Sequence, residues 1–222
     1  MTDGTSSRGV LEGAFALLEH LPDTQPPHQL RDLALLSGVP RSSVYRLLDQ
    51  LRAIGAVELV GDRFVLGRAM LTMGARVEPA TGLRRDTGRM LQALREQTGA
   101  TVSLIASAES SATVIESIPG RDTLPVDIFA GRLLPVHAAG SLVIEPSAAP
   151  ERVNAARRAA VDDGDVVSGL SCFAVAIPLP DGSAAALQLS TLPEDPAIRY
   201  SSVTQQVAAR IREHLRADAL SQ

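Results

Sequence analysis

The stretch VPRSSVYRLLDQLR, residues 39–52, decides how the first third of the chain folds. Val44, Leu47, Leu48 and Leu51 recur at three- and four-residue steps, the spacing of a helix that buries one stripe. At about 100° per residue, Ser42, Tyr45, Arg46 and Asp49 fall on the opposite side. Pro40 is expected in the first helical turn, where its missing N–H costs little, and Gly55 is expected to stop a helix running over about 40–54. The outward side therefore carries hydroxyls and arginines at the helix start, in a chain whose net charge is -4.

Outward from this helix the same logic applies. Residues 29–37 place Leu30, Leu33, Ala34 and Ser37 on one face, and Gly38 ends that helix. Residues 8–21 place Val10, Leu11, Ala14, Leu17, Leu18 and Leu21 inward in a first helix, broken by Pro22, Asp23, Pro26 and Pro27. Residues 57–60 and 63–66 flank Gly61-Asp62 and predict a two-strand hairpin. Three helices, with a tight turn before the third and a hairpin after it, make a winged helix-turn-helix. Residues 37–68 hold five arginines against three acids, whereas residues 69–222 hold fourteen against seventeen. Positive charge is thus concentrated locally, as a small nucleic-acid-reading surface requires. Small residues let a helix enter a major groove about 12 Å wide, hydroxyls and first-turn amides bind phosphate, and arginine pairs with a guanine edge. The candidate DNA-binding residues are Arg41, Ser42, Ser43, Tyr45, Arg46 and, on the wing, Arg63.

A short helix is expected over 68–77, a joint near Pro79, Thr81 and Gly82, and a longer helix over 83–97 packed through Leu83, Met90, Leu91 and Leu94. Beyond it the pattern alternates. Strands are expected at 101–107, 113–118, 124–129, 170–179 and 184–191, the last two around the turn Pro180-Asp181-Gly182-Ser183. Helices are expected from about His137 to 145, over 149–161, and over 199–220 with Val203, Val207, Ile211 and Leu215 inward. The fold class is α+β, with domains at 1–77, 78–99 (a linker helix) and 100–222.

Bulk composition excludes other classes. Hydrophobic residues at 45% allow a buried core, and aromatics at 3% speak against a sugar groove or a base-stacking surface. The basic residues are all arginine, which genome composition explains without function. One cysteine, Cys172, excludes an internal disulfide and a multi-thiolate metal site, and fits a reducing cytoplasm. His20, His28, His137 and His214 lack metal-ligand spacing, so no metal or cofactor is expected. No secretory signal or membrane span is expected either. DDGD at 162–165 reads equally as a solvated turn.

Residues 30–67, LRDLALLSGVPRSSVYRLLDQLRAIGAVELVGDRFVLG, resemble the N-terminal domain of the IclR (isocitrate lyase regulator) family of bacterial transcription regulators. In that family a Leu-Pro-Lys-Ser-Thr-Val-X-Arg-Leu-Leu helix precedes a wing that ends in Leu-Gly, here Leu66-Gly67. The resemblance continues through LRRDTGRMLQALREQTGATVSL (83–104), GRLLPVHAAGSLVI (131–144) and GLSCFAVAIPLPDGSAAALQLS (169–190). It implies a GAF-like C-terminal effector domain, dimers that pair further into tetramers, binding to double-stranded operator DNA, and a small organic ligand. Repression is the expected sign of control rather than activation. Carried over by position, the effector-binding residues are Leu124, Gly140, Ser141, Asp162, Cys172, Gln188 and Ser190. Two departures stand out: the stretch between Gly140 and Cys172 is shorter than the family's, and Gln188 stands where a small hydroxyl residue is common. The rival readings are a thiol- or redox-responsive regulator acting through Cys172 and a small enzyme of GAF-like fold using the same cysteine. No positioned base accompanies Cys172 in sequence, so no catalytic residue is assigned.

Overall fold

The structure is a computed structural model that describes residues 9–21, 30–77, 82–108 and 111–219. The proline-rich break at 22–29, most of the joint at 78–81 and the centre of the turn near residue 110 lie outside the described residues. The chain divides into two compact units, Met1–Val77 and Glu78–Gln222.

Unit 1 runs α1 (Val10–Glu19), α2 (Leu30–Ser37), α3 (Arg41–Ala53), β1 (Val57–Val60), β2 (Arg63–Leu66) and α4 (Arg68–Gly74). The leucine stripe of α3 is buried as its spacing predicts, with Val44, Leu47, Leu48 and Leu51 joining Leu17, Leu33, Val39 and Val57 in one core. Pro40 is the N-cap, one position earlier than its expected place in the first turn. α1 differs from expectation at its start. Leu17, Leu18 and Leu21 are buried as expected, with Ala14 packed beside them, but Val10 and Leu11 are 56% and 76% exposed, and Gly13 is buried in the first half of the helix. A Cβ on Gly13 would come 3.3 Å from Leu47 Cδ1, so the missing side chain sets how closely α1 approaches α3. β1 and β2 pair antiparallel from Val57↔Leu66 to Val60↔Arg63. The base of this wing is tied back to α3: the Gly67 N–H donates to Ala56 O (2.8 Å) and the Ala69 N–H to Gly55 O (3.1 Å). A Cβ on Gly67 would lie 2.1 Å from Gly55 O, so only glycine fits there.

Unit 2 opens with α5 (Leu83–Thr98), which ends at Gly99 in the left-handed region (φ 75°). Then come β3 (Thr101–Ala108), β4 (Ser111–Ile118), α6 (Ala139–Ile144), β5 (Val153–Asn154), β6 (Ala159–Asp163), β7 (Ser171–Pro178), β8 (Ala184–Thr191) and α7 (Ser201–Ala219). The sheet order is β4-β3-β8-β7-β6-β5, and every neighbouring pair is antiparallel. α5 and α7 cover one face over large side chains: Val102, Leu104, Phe173, Val175, Ile177, Leu187 and Leu189. On the other face β6, β7 and β8 present small ones, Ala160, Cys172, Ala174, Ala176 and Ala186, beside Ile105 of β3 and Val114 of β4, and Ala139, Leu142 and Val143 of α6 pack there. β7 and β8 are therefore buried on both sides, and even the polar Gln188 and Ser190 that β8 alternates with Leu187 and Leu189 are buried.

Two expected elements are absent. Residues 124–129 form no strand. Leu124, Val126 and Ile128 do alternate inward onto the α6-side core, but the segment lies across that core without joining a ladder. Pro125, which has no N–H, suits that course. Residues 149–161 form no helix. A short 3-10 turn at Pro150–Arg152 leads into β5, a reversal at 155–158, and β6. The Asn154 side chain accepts the Arg157 N–H (3.1 Å), and Arg158 takes a positive φ of 49°. A local side-chain turn and β-branched Val153 and Val161 outcompete the helical period.

Candidate functional site

In unit 1 the burial of α3 determines what it presents. Arg41, Ser42, Tyr45, Arg46 and Asp49 are exposed and Ser43 is half-buried. No side chain caps the start of α3, and Pro40 O accepts the N–H groups of Ser43 (2.8 Å) and Val44 (3.1 Å). The amides of Arg41 and Ser42 ahead of them remain available as donors. Two nearby arginines are engaged, Arg52 with Asp49 (3.8 Å) and Arg68 with Glu58 (3.8 Å). Arg41, Arg46 and Arg63 form no ion pair among the described residues. Arg63 is exposed next to the Gly61-Asp62 turn, opposite Val60. The arrangement is a helix start with two unpaired guanidiniums, hydroxyls and open amides, followed by a hairpin carrying a third guanidinium. Such a surface suits a polyanion with polar edges.

In unit 2 the sheet register gathers the other candidates. Asp162 pairs with Cys172, Cys172 with Ser190, and Gln188 with Ala174 on one side and Ser103 on the other. A hydrogen-bonded chain crosses the α6 side of the sheet. The Gly140 N–H donates to Gln188 Oε1 (2.9 Å), Gln188 Nε2 donates to Ser190 Oγ (3.1 Å), and Ser190 Oγ lies 3.3 Å from Cys172 Sγ. The backbone N–H of Gly140 fixes which end of the Gln188 carboxamide is oxygen. Gln188, Ser190, Cys172, Asp162 and Ser141 are all buried. Burial pushes the Cys172 thiol up to about 12, which disfavours the thiolate at neutral pH. Burial also raises the Asp162 carboxyl above the usual range. Against this work the N–H groups of Val166 (3.3 Å) and Asp165 (3.0 Å) and the Arg152 guanidinium at 3.9 Å. Asp162 is thus a buried strand residue, not a solvated turn. Leu124 sits at the rim, half-buried against the same core.

Sequence reasoning passed over Ser103, whose fully buried hydroxyl has no partner among the described residues, as is also true of Ser141. Its signal was present: Thr101, Ser103 and Ser107 stand at odd-numbered positions of a strand whose other residues are apolar. A cleft of about 240 Å³ is lined by Thr101, Arg121, Leu124, Ser190, Asp195 and Tyr200, and a second of about 270 Å³ by Arg152, Arg157, Phe173 and Ile198 among others. Neither is lined by Gly140, Ser141, Asp162, Cys172 or Gln188. No described helix is long and apolar enough to cross a membrane.

Residues 10–61 match the family model of the IclR helix-turn-helix domain. Over 135 residues the chain is 26% identical to the acetate operon repressor of Salmonella typhimurium and 26% identical to the transcriptional repressor IclR of Escherichia coli. In both cases 59% of this chain and 49% of the relative are covered, so the chain spans about half the length of the curated relatives it matches. Among solved structures, an IclR homolog from Microbacterium hydrocarbonoxydans complexed with 4-hydroxybenzoate superposes with a TM-score of 0.76 at 17% identity. That match covers 94% of this chain and 100% of the other. The IclR of Thermotoga maritima gives a TM-score of 0.67 at 19% identity, covering 92% and 98%. At these identities the likeness is one of fold.

Proposed function

We propose that the chain is an IclR-type repressor that binds operator DNA through α3 and the wing, a reading supported by the helix-turn-helix match over residues 10–61 and by the shared fold. One observation carries this reading. The buried stripe of Val44, Leu47, Leu48 and Leu51 turns Arg41, Ser42, Tyr45 and Arg46 outward, and neither arginine has a carboxylate partner among the described residues. Ser43 and Arg63 complete the contact set. One such module makes a small interface, so two copies on a palindromic site are needed for selectivity. Self-association belongs to the proposal, as does action in the cytoplasm. A regulator is favoured over an enzyme or a thiol switch because Cys172 is buried and its thiol is held protonated.

Unit 2 is then the control unit. The small-molecule residues offered by the sequence converge on the Gly140–Gln188–Ser190–Cys172 chain, flanked by Asp162, Ser141 and Leu124. The complex of the Microbacterium hydrocarbonoxydans homolog with 4-hydroxybenzoate makes a small carboxylic acid the reference ligand class. Control by any ligand requires different affinity for the DNA-competent and DNA-incompetent states.

The test is DNA selection from a random pool, followed by mobility-shift titration on the selected site. Arg46→Ala is expected to weaken specific binding by at least about tenfold, the loss of one bidentate base contact, while thermal unfolding stays the same. Unchanged affinity removes Arg46 from the reading face. A wild-type protein that enriches no sequence sinks the proposal.

A further inference from the structure

We propose that Gln188 is a built-in occupant of the polar cluster in unit 2, its carboxamide standing where a small carboxylic ligand would otherwise sit. This rests on reading unit 2 as the control unit. The α6 side of the sheet is made of small residues around Gln188: Ala174 and Ser103 are its neighbours across the register, and Ala186 and Ser190 are the flanking residues on its own strand face. They leave a hollow that one long side chain fills. The fit is close. Gln188 is 3% exposed, and a single carbon added to Gly140 would come 2.8 Å from Gln188 Oε1 and 2.3 Å from Ile105 Cδ1. The carboxamide also meets the polar groups on both sides. Its oxygen takes the Gly140 N–H and its nitrogen donates to Ser190, which adjoins Cys172.

Removing that side chain changes what the hollow offers. The Gly140 N–H loses its partner, the Ser190 hydroxyl keeps only Cys172 Sγ, and the Ser103 hydroxyl beside them already has none among the described residues. Three donors then face a space bounded by Ile105, Leu134 and alanines, which suits an acetate-sized carboxylate or a small amide. In the intact chain the glutamine satisfies two of those groups without a ligand and leaves no room for one. The cluster is held together by the chain's own side chain.

The experiment compares wild type, Gln188→Ala and Gln188→Met by thermal unfolding across graded acetamide and acetate, with binding followed by calorimetry. Acetamide is the group that Gln188→Ala deletes. The expected result is a destabilised alanine variant that either solute restores saturably, with a Kd at least about tenfold below any seen for wild type. Gln188→Met fills the hollow without the hydrogen bonds and is expected to be destabilised and not rescued. Wild type binding either solute as tightly as the alanine variant overturns the proposal, as does an alanine variant that neither solute restores. If Gln188→Ala does not fold, Gln188→Ser is measured in its place and the same outcomes decide. Operator binding by the same proteins is scored separately. Wild-type binding indifferent to both solutes supports the built-in occupant. A wild type that binds no operator removes the regulator reading and leaves the rescue result standing.

Discussion

At the scale of single residues, unit 2 is governed by what burial does to polar groups. Gln188 and Asp162 are both buried on the α6 side, yet they solve the problem differently. Gln188 is neutral and bridges Gly140 and Ser190, so its burial leaves no charge to compensate. Asp162 keeps a carboxylate against two backbone N–H groups and a guanidinium at 3.9 Å, and burial still lifts its pKa. The sign of its contribution follows. A carboxyl with a folded pKa above its unfolded value stabilises fully below the unfolded value, and that contribution is lost as pH rises through the folded one. Asp162→Asn retains an acceptor for the N–H groups of Asp165 and Val166 and carries no charge. The stability gap between this variant and wild type is therefore expected to move in the variant's favour as pH rises from about 4 to 7. Urea unfolding at several pH values measures it, and a gap that stays constant shows that Asp162 does not carry this pH dependence.

At the scale of elements, backbone approach decides as much as side-chain pattern. The wing is anchored because Gly67 lies directly against the Gly55 carbonyl, where a Cβ would sit 2.1 Å from the oxygen. Gly67→Ala must push the base of the wing off the end of α3, and overpacking of this kind costs about 1–3 kcal/mol or more. A lower melting temperature for unit 1, with unit 2 unchanged, is the expected outcome by calorimetry. Retention of wild-type stability would mean that the wing base yields easily. Much of this architecture was legible in sequence: α3, the hairpin, β7, β8 and α7 all follow from periodicity and turn residues. The misreadings share a cause. Val10 and Leu11 share the period of Leu17, Leu18 and Leu21, but they lie at the start of α1, ahead of the point where Gly13 approaches Leu47, and stay exposed. Residues 124–129 have a strand's alternation because they bury every second side chain, and no pattern of side chains says whether a ladder forms alongside. At 149–161 a helical spacing was overridden by the Asn154 turn. In the candidate site, types and positions were readable, whereas the bridge made by Gln188 depends on which strands are neighbours, and pairing of distant strands leaves no local mark.

At the scale of the whole molecule, the two units carry separate cores, one around Leu17, Leu33 and Leu48 and the other on the two faces of the six-stranded sheet. We therefore expect residues 1–77 and 78–222, produced separately, each to fold and to unfold cooperatively, with circular dichroism melts as the measurement. A fragment 78–222 without a cooperative melt would mean that its sheet depends on unit 1. The strand order has a further consequence for how the chain is made. β3 lies one strand in from the sheet edge, between β4, its next neighbour in sequence, and β8, near the end of the chain. During synthesis unit 1 emerges complete, with contacts that are short in sequence. β3 then waits with one edge open until residues 184–191 leave the ribosome. A message broken between β7 and β8 yields a finished helix-turn-helix joined to a sheet that has lost its central seam, a product suited to aggregation or proteolysis rather than to partial activity.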